Sequence, residues 1–262
     1  MTAAESAIPQ WISAYSADAP QLDGQMERLW ELAEPITVIV REAFGGGAPK
    51  EVVLRSVHTE DAFYVLAQWP DATHSDQRDP YLWNPQTSSY DRPTTPDDQF
   101  ALEFPLSGDF QISMLPASQS YRTDVWHWKA GRSNLGGWVD DKSHTISMTP
   151  VDGALEYRLG GYNTVYIARP MDTGQASYQI IERPAEFAGE RLGSFAAQEP
   201  SGSLTDVRGK GVHNDAAWTL EMGRRFATGN PDDRQIDPAE MIQCAIAVLN
   251  DELYWEHSVS GE

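Results

Sequence analysis

Short runs of β-branched and aromatic residues, each bounded by Gly, Pro, Asn or Asp, recur along this chain, while a sustained helical period is almost absent. The runs are Ile36–Val40, Glu51–His58, Ala62–Trp69, Gln99–Phe104, Thr145–Met148, Tyr162–Ala168, Ala217–Glu221 and Met241–Asn250. Such punctuation favours strands that pack sheet on sheet, so the expected class is mainly β, an antiparallel β-sandwich with long loops and a few short helices. A barrel is the alternative architecture. One short helix is predicted over Glu27–Ala33, where Leu29, Trp30, Leu32 and Ala33 recur at helical spacing. Gly45-Gly46-Gly47 reads as a hairpin tip, since no Gly-Lys-Ser/Thr and no helix follow it. At 262 residues the chain suits a single domain spanning 1–262, because β-sandwiches of roughly 200–250 residues form one core.

Charge narrows the partners. With 39 Asp and Glu against 19 Lys and Arg, the net charge is −20, which repels phosphate backbones and anionic lipid surfaces. Nucleic acid is therefore excluded as an expected partner, and no run of about 18 apolar residues suggests a membrane span. The start, Met1-Thr2-Ala3-Ala4-Glu5-Ser6, shows no basic segment followed by an apolar one, so no leader is read in this chain. The single cysteine, Cys244, lies in an apolar run and reads as a small core residue. One cysteine precludes an intrachain disulfide, a covalently attached c-type haem and an iron–sulfur cluster ligated by this chain alone.

Sequence-local chemistry is sparse. The six histidines, His58, His74, His127, His144, His213 and His257, form no H-x-x-x-H or H-x-H pair, and no G-x-S-x-G elbow is present. The carboxylate pairs Asp140-Asp141 and Asp232-Asp233 read as solvated loop charges in so acidic a chain. The long stretches Asp71–Pro96, Ala117–Lys142 and Met171–Val212 carry Tyr81, Trp83, Tyr90, Trp126, Trp128 and Trp138. So much aromatic surface in loops is expected to fold over something. In Asp124–Arg132, alternation places Val125, His127 and Lys129 on one side and Trp126 and Trp128 on the other. Two readings follow: an aromatic core strand, or a wall of a flat hydrophobic slot.

Several segments together carry a resemblance. They are Ala19-Pro20-Gln21-Leu22-Asp23-Gly24 with Trp30, then Val65–Ser75, Asp98–Pro105, Asp124–Arg132, Trp218–Arg225 and the tail His257-Ser258-Val259-Ser260. In this order the chain resembles the haem-binding subunit family typified by the gamma subunit of ethylbenzene dehydrogenase, with relatives in dimethylsulfide dehydrogenase, chlorate reductase and selenate reductase complexes. The resemblance implies a sandwich related to the family 9 carbohydrate-binding modules that holds one non-covalent haem b. The family's axial ligands are a methionine from the central region and a lysine close to the C-terminus. The methionine maps onto Met114, while the lysine position before Ser-Val-Ser is occupied here by His257, a departure from the pattern. A neutral imidazole is a good haem ligand, and His/Met ligation suits electron transfer. Lys142, Lys210 and His127 are fallback ligands. Trp126, His127 and Lys129 are expected at the haem, with Arg132 and Arg224 offered to its propionates.

The function so implied is a non-catalytic electron-transfer subunit of a molybdenum-containing oxidoreductase complex. It would exchange electrons with an iron–sulfur beta subunit beside a molybdopterin-containing alpha subunit, in the periplasm or at the outer face of the cytoplasmic membrane. The alternatives are a carbohydrate-binding module without haem, in which Trp and Tyr rings stack on sugars, and a structural β-domain without ligand.

Overall fold

The structure, a computed structural model, describes residues 9–42, 48–115, 117–158, 163–251 and 257–260. Its body is built from β1 (Ile36–Glu42), β2 (Lys50–His58), β3 (Ala62–Pro70), β4 (Gln99–Gly108), β5 (Tyr121–Lys129) and β6 (Asp140–Ser147). These are followed by β7 (Leu155–Arg158), β8 (Thr164–Ala168), β9 (Arg208–Asn214), β10 (Ala217–Arg225), β11 (Ala245–Leu249) and β12 (Ser258–Ser260). Among the described residues they join in the order β7-β8-β6-β5-β4-β11-β12-β1-β2-β3-β10-β9, each pair antiparallel, with Ala14–Tyr15 added in parallel to β2.

The two halves of this sheet face each other, giving the antiparallel sandwich that the strand pattern predicts. Phe100 of β4 stacks on Trp69 of β3 at 5.5 Å, and Trp128 of β5 meets Trp218 of β10 at 4.9 Å. Leu102, Trp126, Ile246, Val248, Val52, Leu54, Val65, Leu220 and Met222 complete the interior. Each buried indole removes roughly 200 Å² from water, about 5 kcal/mol of gross burial at about 25 cal/mol/Å². The ring N–H groups also need partners, and Trp69, Trp128 and Trp218 donate to Asn250, Asn134 and Asp98 at 3.1, 3.0 and 3.1 Å. Trp128 lies so close to Gly211 of β9 that no Cβ fits there.

Each predicted run contains a strand; six extend further, those over Tyr162–Ala168 and Met241–Asn250 are shorter, and β5 and β9 begin within stretches expected as loops. β4 continues to Gly108 and β10 to Arg225. The largest extension is β6, which begins at Asp140 rather than Thr145. The helix expected over Glu27–Ala33 is a 3-10 turn, Arg28–Leu32, and β1 and β2 form the hairpin whose expected Gly45-Gly46-Gly47 tip lies outside the described residues. No described helix is long and apolar enough to cross a membrane.

The outer faces are covered by the connections. On the β1-β2-β3-β10 half, Trp30 packs with Ala33, Val57 and Leu66. There Glu221 of β10 accepts from Trp30 Nε1 at 2.7 Å and from the backbone N–H groups of Asp23 and Gly24 at 2.8 and 2.7 Å. The six aromatic residues singled out in the long stretches pack inward or on one another. Trp126, Trp128 and Trp138 are interior, while Tyr81, Trp83, Tyr90 and Phe187 pack on one another around a small sheet of Tyr81–Asn84, Ser89–Asp91 and Arg191–Leu192.

Candidate functional site

The alternation read in β5 holds, and it divides the segment between two environments. Trp126 and Trp128 enter the interior, whereas Val125, His127 and Lys129 stand on the outer face of the other half-sheet. Register extends that face sideways. His127 lies opposite Asp140 of β6 on one side and Ala101 of β4 on the other; Ala101 lies opposite Ala247 of β11, and Ala247 opposite Val259 of β12. One step along, Lys129 is opposite Gln99 and Gln99 opposite Leu249. Because Val248 pairs with Ser258, continuing the ladder places His257 beside Leu249. The result is a floor of small residues with a histidine toward each side.

The electrostatics of this face are set by crowded cations. Lys142 Nζ lies 3.5 Å from His127 Nδ1. Burial, reinforced by Lys129 and Lys142, holds His127 well below the usual imidazole range, so the ring is neutral at pH 7. Its Nε2 is shielded from solvent and has no hydrogen-bond partner among the described residues. Burial, then the charge of Lys129, brings Lys142 down to about 7. Lys129 bonds Asp140, and Tyr178 from the long excursion donates to the same carboxylate at 3.0 Å, so this segment roofs that end of the face. Beside them Arg132 grips buried Asp97 at 2.8 and 3.1 Å.

The expected site residues do not all meet. Met114, in the β4–β5 connection, packs with Phe110, Leu115 and Met148 against Tyr121, Ile146 and Ile167, beyond the Gly108 end of β4. His257 lies at the Gln99 end. β4 separates them by about 30 Å at roughly 3.3 Å per residue, so the structure does not bring Met114 and His257 together as an axial pair. Trp126 is a core residue between Phe104 and Phe63, not a slot wall. Arg224 is no propionate partner either, because it is buried with Asp124 at 2.8 Å and Asp233 at 3.1 Å. His127, Lys129 and His257 share one face, with Arg132 at its edge. Of the fallback ligands, Lys142 joins this face, whereas Lys210 donates to the Asn134 carbonyl at 3.0 Å.

Sequence reasoning missed the buried acids, Asp141 and Asp233 around Arg224 and Asp140 beside Lys129. Asp140, Asp141 and Asp233 are buried, not solvated. Burial, then the charge of Asp124, raises Asp141 well above the carboxylate range; burial, then Asp232, pushes Asp172 to about 8. The available signal was Asp124 itself, an acid on the Trp126 side of β5.

These features define an antiparallel β-sandwich with a partly shielded, histidine- and lysine-bearing outer face. The sequence profile described as ethylbenzene dehydrogenase matches residues 28–259, and the chain belongs to that family. No curated protein matches it. Among solved structures it is similar to a family 9 carbohydrate-binding module from Caldicellulosiruptor kristjanssonii in complex with cellotriose, at 9% identity and a TM-score of 0.39 over 96% of this chain and 83% of that one. The same module in complex with glucose gives 10% identity and 0.38, over 95% and 84%.

Proposed function

We propose that this chain is the non-catalytic, electron-transferring subunit of an oxidoreductase complex of the ethylbenzene dehydrogenase type, and that it holds one non-covalent haem b on the outer face of β6-β5-β4-β11-β12. The observation that carries the proposal is the shielded, neutral and unpartnered Nε2 of His127. A buried imidazole nitrogen without a partner costs free energy unless a ligand completes it. Across the ladder its neighbours are the small side chains of Ala101 and Ala247, and His257 stands on the same face.

His127 is the first candidate to hold the iron, with His257 the second and Lys142 the lysine nearest His127. Lys129 and Arg132 are already paired with Asp140 and Asp97, so Lys142, beside His127, is the cation this face offers a propionate. Bound there, haem b would supply a one-electron couple. The chain's own contribution is to keep His127 deprotonated by burial and by its cationic neighbours, and to exclude water with the Tyr178 segment. Electrons would pass to or from an iron–sulfur subunit beside a molybdopterin-containing subunit, in a complex placed in the periplasm or at the outer face of the cytoplasmic membrane. Six of the eight tryptophans among the described residues are buried, which leaves few of these rings for stacking on sugars and favours this reading over a carbohydrate module.

Reconstitution with haemin tests the proposal. The expected product is red, with a b-type pyridine haemochrome at close to one haem per chain. A protein that stays colourless after reconstitution contradicts it.

A further inference from the structure

A second site lies inside the sandwich, and it does not depend on the haem reading. Asp124 of β5 and Asp141 of β6 point inward near Asp233 of the β10–β11 connection, with carboxylate oxygens of all three within 4.8 Å of one another. Arg224 reaches across from β10 and serves one side of the group. Its Nη1 lies 2.8 Å from Asp124 Oδ2, 3.1 Å from Asp233 Oδ1 and 3.7 Å from Asp141 Oδ2. Thr228 donates to the other Asp233 oxygen, and the Arg234 N–H to Asp124 Oδ2 at 2.7 Å.

On the other side of the group no hydrogen-bond donor is in reach among the described residues. Asp124 Oδ1 and both oxygens of Asp141 are shielded from solvent and accept no hydrogen bond, although the Asp141 side chain is 0% exposed. Asp172, whose backbone N–H bonds the Asp141 carbonyl at 3.1 Å, adds two more such oxygens from a residue only 7% exposed. Its carboxylate is within electrostatic reach of Asp124, Asp233 and Arg224. Three carboxylates thus crowd one guanidinium with Asp172 within electrostatic reach, and among the described residues five shielded oxygens of these four side chains accept no hydrogen bond. Buried carboxylates are ordinarily paired or bound to a metal.

We infer that Asp124, Asp141, Asp172 and Asp233 form a structural calcium site that ties β5 and β6 to the β10–β11 connection and to the excursion after β8. The donor set is oxygen alone, which disfavours zinc and other metals that take nitrogen or sulfur. Magnesium holds a rigid octahedron and keeps several waters, whereas calcium takes six to eight oxygens flexibly and accepts bidentate carboxylates. A dry set of open carboxylate oxygens fits the second ion.

The test uses the full chain dialysed against EDTA, melted in CaCl2, in MgCl2 and in NaCl of equal ionic strength. One millimolar calcium is expected to raise Tm by several degrees and magnesium by much less. Asp141→Asn and Asp172→Asn should melt at or above the wild type in EDTA, because repulsion is relieved, yet lose the gain from calcium. Asp172→Asn, nearer the surface, serves if Asp141→Asn fails to fold. No calcium-specific shift in the wild type, or a wild-type calcium gain retained in the variants, overturns the inference.

Discussion

Replacing Glu221 by alanine should be the most damaging single change on the N-terminal side of the sandwich. Its carboxylate receives Trp30 Nε1 and the backbone N–H groups of Asp23 and Gly24. Each hydrogen bond to a charged acceptor contributes roughly 1.5–3 kcal/mol. Two corrections reduce the sum. Asp23 is only half-buried, so water can reach its N–H in the variant, and burying the carboxylate is itself costly, as its upward-shifted pKa shows. Trp30, 0% exposed, has no such escape. The net loss is expected at about 3–4 kcal/mol, which for a chain of this size lowers Tm by about 10 °C. Glu221→Gln keeps one oxygen for the backbone donors but turns an amide N–H toward Trp30, so it should lose about 1–2 kcal/mol. Urea denaturation followed by tryptophan fluorescence, with scanning calorimetry beside it, reads both values. An alanine variant within 0.5 kcal/mol of wild type, or a glutamine variant as unstable as alanine, would refute the reasoning.

Gly211→Ala pushes a methyl group into the ring of Trp128, which its bond to Asn134 holds in place; a loss of about 1–3 kcal/mol in urea titration is expected. Burial pushes the Cys244 thiol up to about 11, so it stays protonated below that pH. At pH 8 its thiolate fraction falls about a hundredfold below that of an ordinary cysteine, and disulfide-reagent labelling should be slow until guanidinium unfolds the chain. Arg224→Leu in EDTA strands Asp124, Asp141 and Asp233 without their cation; about 3–5 kcal/mol should be lost, and adding Asp124→Leu should recover part of it.

The interior was legible where strand period and side-chain chemistry agree. In β5 the alternation of Trp126 and Trp128 with His127 and Lys129 gave both faces correctly, but not which face is interior, because both carry aromatic or buried residues. The sequence pattern shortens β6 because Asp140, Asp141 and Lys142 look solvated; only tertiary partners show why they are buried, Arg224 from the opposite layer for Asp141, Lys129 and Tyr178 for Asp140, and His127 beside Lys142. The Met114 and His257 pairing could not be judged from sequence, since the separation depends on the antiparallel register of β4 with β5 and β11. Local patterns do not encode that register. Tyr178 was likewise invisible: it reaches Asp140 from 38 residues away.

The most direct measurement is the optical and electron paramagnetic resonance spectrum of the haemin-loaded chain, taken for wild type, His127→Ala and Met114→Ala. His127→Ala should weaken haem binding at least tenfold or convert the low-spin signal to high spin, while Met114→Ala should leave the spectrum unchanged. A His127→Ala protein with wild-type spectrum and affinity would contradict the proposal.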